Sequence, residues 1–526
     1  MHSIEGGRAS ASAAGKWWTL TAVCTGVFML LLDITIVNVA LPDIEQAFNA
    51  SLSDLQWVIS AYALTLAAFL LTAGSLADLY GRRLLFANGI AIFTIGSLCC
   101  GLANGSTFLS VARGVQGVGG AIMFATSMAL LAQAFQGRER GVALGIFGAV
   151  TGVAIAIGPV LGGAITSGLS WRWIFFVNIP IGVVALAITL LRVDESRNPA
   201  ARKPDWAGFL TFSAGLAALV YGLIQSQRDG WGSTTVVSSL VASAVLLVAF
   251  VVVELASREP MLDLALLRMP TFVGGLVAAW AISAALFAMT TYLIIYLQNT
   301  LGFSAGATGV RFLPMTVAIF VAAGIAGRLT SMVPRRFLIG AGFVLVGAGL
   351  LLMRGLTPTS GWTHLLAGMI ISGLGGGLVS TPLVSTAVGV VEPARAGAAS
   401  GINATLRQVG VATGVAGLGT ILASHVRSSV VDHLSSTALA AHSHVLAHAI
   451  STGGTEQAVA GTPEPLRGVV AASARSAIVG GLNTILLIAA IAAFAAALSS
   501  LLLIRERDFV TTPDAQDEPG ELALAA

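Results

Sequence analysis

The chain has 526 residues, 56% of them hydrophobic and 10% charged, with a mean hydropathy of +0.89. A water-soluble fold needs about 25% charged residues to cover its surface, so the composition excludes one and calls for a bilayer as apolar solvent. The formal charge of +3 and pI near 9.0 do not indicate a nucleic-acid partner, because the basic residues are scattered over short polar segments and form no stripe.

Apolar runs long enough to cross a bilayer recur along the whole chain. They predict fourteen helical spans: 18–41, 54–77, 84–103, 107–131, 141–166, 174–191, 206–226, 234–256, 271–297, 306–330, 336–353, 364–391, 397–423 and 477–504. The first run exceeds the roughly 7–15-residue core of a signal peptide and reads as an uncleaved span. An even count puts both termini on one side. If that side is the cytoplasm, the inner segments (Arg82, Arg83, Arg138, Arg140, Arg335 and Arg336 among others) carry about three times the Lys and Arg of the outer ones, as the positive-inside rule requires. Cys24, Cys99 and Cys100 all fall in predicted spans, so no disulfide framework or metal site follows.

The expected organisation is a cytoplasmic N-terminus (1–17), a first bundle (18–191), a linker with two additional spans (192–270), a second bundle (271–504) and an acidic, disordered tail (505–526). Within the second bundle, 424–476 reads as an outer loop, weakly ordered and solvated with room for some helix. Its histidines (His425, His433, His442, His444 and His448) include one pair at helical ligand spacing but no zinc motif. An internal repeat joins the two bundles. Gly74-Ser-Leu76 precedes Arg82-Arg83 as Gly327-Arg-Leu329 precedes Arg335-Arg336, at an offset of 253 residues.

In chain order, the first polar intrusion is Asp33, in Leu32-Asp33-Ile-Thr35-Ile-Val-Asn38-Val-Ala-Leu-Pro42. A carboxylate in mid-span costs about 2.5–3.5 kcal/mol on insertion scales and is a functional candidate by default. Between the second and third spans stands Gly74-Ser-Leu-Ala-Asp78-Leu-Tyr-Gly81-Arg82-Arg83, where Gly81 permits a tight turn. The fourth span holds Arg113-Gly-Val-Gln116-Gly117-Val-Gly-Gly120, and its arginine is the natural partner of Asp33. Burial disfavours the charged carboxylate and a guanidinium favours it, a balance suited to gaining and losing a proton. The fifth span carries Gly148-Ala-Val-Thr-Gly152 and Gly158-Pro159-Val-Leu-Gly162-Gly163, small residues that let helices approach and a proline that invites a bend. Trp171-Arg-Trp173-Ile-Phe-Phe-Val-Asn178-Ile-Pro180 opens the sixth span, with aromatics suited to an interface.

Together these segments, in this order, resemble the major facilitator superfamily and within it the fourteen-helix drug:proton antiporters of the EmrB/QacA type, from about residue 17 to 505. The resemblance implies an all-α polytopic membrane protein, two six-helix bundles around a central cavity with an inserted helix pair. It implies that Asp33, with Arg113, alternately holds a proton and a cationic or polar substrate, and that the Gly74–Arg83 loop latches one conformation, here against the start of the thirteenth span. The glycine-proline segment of the fifth span marks antiporters rather than importers. The implied function is proton-driven export of small hydrophobic or monocationic compounds through the inner membrane by a monomer, with both termini cytoplasmic.

Asn38, Tyr62, Phe287, Tyr292, Asn403 and Arg407 are candidates for the cavity lining, with Tyr296, Arg311 and Gln408 behind them. No acidic residue lies clearly inside a span of the second half, which favours neutral or monovalent substrates. No Walker A segment occurs, so ATP is not the expected energy source, and no cofactor is expected. Two rivals remain: an importer of the same fold for a siderophore or organic acid, and a membrane enzyme using Ser304, whose Gly302-Phe-Ser304-Ala-Gly306 matches a nucleophile elbow without the strand that motif requires.

Overall fold

A computed structural model describes residues 13–509 apart from 136, 198–203, 258–259, 261, 263, 331 and 392–395. The regular elements among the described residues are helical. The first six spans are α1 (Ala13–Phe48), α2 (Leu52–Tyr80), α3 (Arg82–Gly101), α4 (Ser106–Ala134), α5 (Gly137–Gly168) and α6 (Trp173–Arg192). Then come α7 (Trp206–Asp229) and α8 (Thr234–Ala256), followed by α9 (Pro270–Thr300), α10 (Ala305–Leu329), α11 (Arg335–Leu352), α12 (Thr363–Gly389) and α13 (Ala396–Ser435). The short helices α14 (Ser443–Ser451) and α15 (Thr455–Ala460) lead to the last span, α16 (Glu464–Leu503).

Among the described residues, thirteen helices are long and apolar enough to cross a bilayer, and α5 makes fourteen when its segments Ile146–Ala154 and Ile157–Gly168 count as one span bent by 41°. Pro159 accounts for the bend. It offers no N–H to the carbonyl four residues earlier, that of Ile155, and its ring crowds the same carbonyl, so the helix opens where the two segments part. Two further irregularities have no signature in composition: α9 widens to π-helix at Ser283–Phe287 and again at Tyr296–Thr300.

Each bundle has its own apolar core. In the first, Phe86 and Phe93 of α3 meet Leu30 of α1 and Met123 of α4. In the second, Phe343 and Val346 of α11 meet Ile485 and Leu486 of α16. The inserted pair lies against the seam between the bundles. Val220 and Ile224 of α7 pack on Ala63 of α2 and Ala412 and Ala416 of α13, and the Phe69 and Phe209 rings meet edge-on at 4.8 Å. Beyond α7, α8 exposes Val237, Val241, Val245, Val248 and Val252, a face only lipid can cover favourably.

The repeat extends to a contact that sequence spacing does not reveal. In the first bundle the Glu195 carboxylate, just after α6, accepts the backbone N–H groups of Arg83 and Leu84 at 3.0 and 3.1 Å and so caps α3. In the second, Glu506, just after α16, accepts the N–H of Arg335 at 2.8 Å and caps α11. Each carboxylate sits at the positive end of a helix dipole.

The 424–476 segment departs from the expected weakly ordered loop. Helix α13 continues to Ser435, α16 starts at Glu464, and α14 and α15 fold between them. Val426, Val430, Leu434, Ile450 and Val470 form a small apolar core there. Alanine-rich spacing sustains helix, and the leucines and valines fall on facing sides, which an average over composition hides. The histidines serve locally: His433 bonds to the Ser429 carbonyl, and His448 pairs with the Arg427 guanidinium at 2.7 Å. Among the described residues no three metal-ligating side chains converge. The acidic tail lies outside the described residues from 510 onward.

Candidate functional site

Asp33 points into the first bundle, where its side chain is fully buried. Its Oδ2 accepts a hydrogen bond from Arg113 Nη1 at 2.5 Å. Its Oδ1 accepts from Gln116 Nε2 at 2.8 Å and from Asn178 Nδ2 at 3.0 Å. Arg113 also donates to Gln116 Oε1 at 2.6 Å and to the Val58 carbonyl at 3.2 Å. Ser97 of α3 accepts from both amides, Gln116 at 2.6 Å and Asn178 at 3.1 Å. The Tyr62 ring lies against the guanidinium, 4.1 Å from Cζ to ring centroid. Five helices thus meet on one carboxylate, and both of its oxygens are satisfied. That is the condition under which a buried ion pair survives its desolvation.

The sequence dictates this meeting. Arg113 and Gln116 are three apart on α4 and share a face. Gly117 brings α2 and α4 together, since a Cβ there would collide with the Tyr62 carbonyl. Asp33 and Arg113 are therefore joined as expected. Gln116 and Asn178 stood within quoted motifs without an assigned role; an amide inside an apolar run was the available signal. Ser97 had none, because a serine that bonds only its own helix looks the same in sequence.

The cavity candidates divide. Tyr62 and Tyr292 are each 2% exposed and do not line open space. The first is taken up by Arg113. The second receives a hydrogen bond from Gln56 Nε2 at 3.1 Å and donates to the Val415 carbonyl, tying α2, α9 and α13 together. Tyr296 is likewise buried. Asn38 accepts from Thr291 at 3.4 Å, across the two bundles. Arg311 lies over the Phe303 and Trp362 rings near the N-terminal end of α10. Arg407 of α13 lies over the Phe287 ring of α9, and Asn403 stands one turn earlier on the same face of α13.

The Gly74–Arg83 segment is not a loop but the end of α2, the single residue Gly81 and the start of α3; in it Arg82 pairs with Asp78 at 2.8 Å and reaches Gln133 of α4 at 3.3 Å, while Arg83 bonds the Val193 carbonyl at 3.2 Å. Gly81 has φ +120°, a conformation L side chains rarely adopt. These described contacts stay within the first bundle; residues 392–395, just before α13, lie outside the described residues. Along α5 the glycines differ by depth. A Cβ at Gly148 or at Gly74 would meet nothing within 4 Å, and one at Gly152 would touch only Phe320. Gly158 packs on Thr35 and Gly162 on Ile36, both of α1, and Gly163 packs on the backbone of Ala305 and Gly306 in α10. Ser304 caps α10 by accepting the Ala307 N–H at 3.2 Å.

The halves are joined at the end where α1 finishes. Gln298 Nε2 donates to the Val39 carbonyl at 2.8 Å and Asn299 Nδ2 to Glu45 at 2.7 Å. Ser167 Oγ accepts the Gly306 N–H at 2.8 Å. The segment between α13 and α16 adds the Leu52 N–H to the Thr452 carbonyl at 2.8 Å and Gln457 Nε2 to Asn49 at 2.5 Å.

An all-helical chain of two bundles with a buried ion pair at the heart of the first is the architecture of a multi-pass membrane transporter, and the sequence matches the Major Facilitator Superfamily over residues 23–415. The chain belongs to that superfamily, and it is a transporter rather than an enzyme. It is 38% identical to multidrug resistance protein Stp of Mycobacterium tuberculosis (strain CDC 1551 / Oshkosh) over 79% of this chain and 78% of that protein. It is 36% identical to puromycin resistance protein pur8 of Streptomyces alboniger, over 83% of this chain and 89% of that one. To the tetracenomycin C resistance and export protein of Streptomyces glaucescens it is 33% identical, over 81% and 80%. Among solved structures, a bacterial homolog of the human lysosomal transporter Spinster shares the fold with a TM-score of 0.61 at 17% identity, over 95% of this chain and 99% of that one.

Proposed function

We propose that the chain is a proton-coupled antiporter that exports small, largely hydrophobic compounds, neutral or singly charged, across the cytoplasmic membrane as a monomer with both termini inside. The observation that carries this reading is the position of Asp33. One face of α1 turns Asp33 into the polar cluster of the first bundle. The opposite face bears Thr35, Asn38 and Val39, which meet α5 and the second bundle. A proton taken up by Asp33 weakens its hold on Arg113, and α1 passes the change to the contacts that close the outer end.

Because Asp33 is enclosed, it acts here on the proton rather than directly on the transported compound. The outer end is closed by inter-bundle contacts, so loading occurs from the inner side. Outside, protons arriving at Asp33 promote return to this state, and release inside restores the ion pair. The membrane potential contributes about 2.3 kcal/mol per charge per 100 mV, enough for tens-fold accumulation. Relatives that carry the printed names of multidrug, puromycin and tetracenomycin C resistance support export as the direction.

The test is transport in everted membrane vesicles, comparing wild type with Asp33→Asn. Wild type is expected to accumulate ethidium and release lumenal protons on its addition, and the variant to do neither. A variant that transports like wild type removes Asp33 from the coupling. A wild type indifferent to ethidium replaces broad export with a narrow substrate.

A further inference from the structure

The second bundle contains a half-buried cation that the mechanism above does not use. Arg407 lies on α13 two turns from Val415, about 12 Å nearer the inner end. It is half-buried, and among the described residues no carboxylate or hydrogen-bond acceptor engages it. Its one described interaction is with the Phe287 ring, at 6.0 Å from Cζ to centroid, the outer limit of a cation–π contact. One turn earlier on the same face, Asn403 is 4% exposed, and its amide nitrogen is buried without a partner among the described residues. A guanidinium and an amide N–H2 are both donors, so two adjacent side chains present donors and no described acceptor answers them.

The helix opposite packs closely just beyond this level. Gly410 and Gly414 let α13 press against Trp280, Ser283 and Ala284 of α9. From Ser283 outward α9 widens into the π segment Ser283–Phe287, whose last residue, the half-buried Phe287, lies under Arg407. Single π turns inside α-helices recur at functional sites. On the neighbouring edge of α13, Ala404 and Gly401 meet the first bundle, so the flank that carries Asn403 and Arg407 adjoins the seam between the halves.

An unpaired cation in the membrane interior is costly and marks a substrate pathway unless something neutralises it. In the first bundle the chain supplies Asp33 for that purpose. In the second no described residue does so. We infer that Arg407 and Asn403 form a subsite for an acidic oxygen of the transported compound, a carboxylate or phenolate, with Phe287 receiving the apolar body beside it. The guanidinium engages two acceptor oxygens at once and the Asn403 amide takes a third lone pair. This adds to the proposed hydrophobic substrates those that carry one acidic group, and it rests on the reading that the compound passes along the seam.

A matched pair of probes tests it: 1-pyrenebutyrate and its methyl ester, alike in apolar body and differing in the charged oxygen. Binding to the purified full-length protein in nanodiscs is read by energy transfer from tryptophan to pyrene, corrected with empty nanodiscs. Wild type is expected to prefer the acid over the ester by about tenfold to a hundredfold, the range of a charge-assisted hydrogen-bonded pair. Arg407→Gln is expected to bring that ratio close to one, Arg407→Lys to keep part of it, and Asn403→Leu to lower it several-fold. Size-exclusion profiles and helical circular dichroism establish that each variant is folded.

Equal binding of acid and ester by wild type, binding of neither, or an acid preference that survives Arg407→Gln in folded protein overturns the subsite. No proton gradient enters this measurement. An acid preference lost in Arg407→Gln, alongside vesicles that show no proton-driven export, therefore leaves the subsite standing and removes the antiport reading.

Discussion

The two bundles treat an arginine in opposite ways. Arg113 meets a carboxylate, an amide oxygen, a backbone carbonyl and an aromatic face, all supplied by the chain. Arg407, among the described residues, meets one ring, 6.0 Å from its centroid. In a repeat whose halves otherwise correspond down to the capping glutamates Glu195 and Glu506, the difference is one of function. The first bundle holds its charge in a closed internal pair that a proton can open. The second holds a charge for which no described residue supplies the complement.

The largest effect that would break this contrast is on stability. Arg113→Leu leaves Asp33 buried without its cation, which costs about 3–5 kcal/mol when half of a buried pair is removed. The variant is expected to lose most of its monodisperse yield after detergent extraction, and Asp33→Asn/Arg113→Leu to recover it. Arg407→Leu, by contrast, removes a cation with no described acceptor to abandon and is expected to melt no lower than wild type. Equal melting losses at the two positions would erase the difference between the bundles.

Next in size is the outer seam. Gly163 packs directly on the backbone of α10, so Gly163→Leu forces the outer ends of α5 and α10 apart at a cost of about 1–3 kcal/mol for overpacking. Spin-label distances across the outer ends of α5 and α10 should lengthen. Gly148→Leu meets open space and should leave them unchanged. A smaller shift is expected from Tyr292→Phe, which gives up the hydroxyl joining Gln56 to Val415. About 1 kcal/mol of hydrogen bonding moves a two-state balance roughly fivefold toward the outer-open form, read as a change in the populations of the same distance distribution.

Much of this was legible in the sequence. Spans show as apolar runs, and Asp33 and Arg113 stand out because a charge in hydrocarbon has to be explained. Pro159 marks its own bend. What could not be read falls into two kinds. Ser97, Glu195 and Glu506 act only through partners far away in the chain, and nothing local distinguishes them from an ordinary helix serine or a surface acid. The π segment that turns Phe287 has no composition of its own, and neither has the burial that sends Tyr62 and Tyr292 into the packing instead of the cavity. The aromatic residues were visible; which face of each helix meets a neighbour was not.

The smallest effect belongs to the outer hairpin, and it bears on whether this helical segment takes part in the cycle. Thr452 and Gln457 lie between α13 and α16 of the second bundle, yet they bond Leu52 and Asn49 at the turn between α1 and α2 of the first. These contacts must part when the outer end opens, so they hold the closed form. Gln457→Ala deletes one exposed hydrogen bond, and the expected change in closed-state population is about twofold or less. Combined with Tyr292→Phe it should add to that variant's shift, since the two contacts share no partner. A hairpin that merely decorates the outer surface would leave the Tyr292→Phe populations as they were.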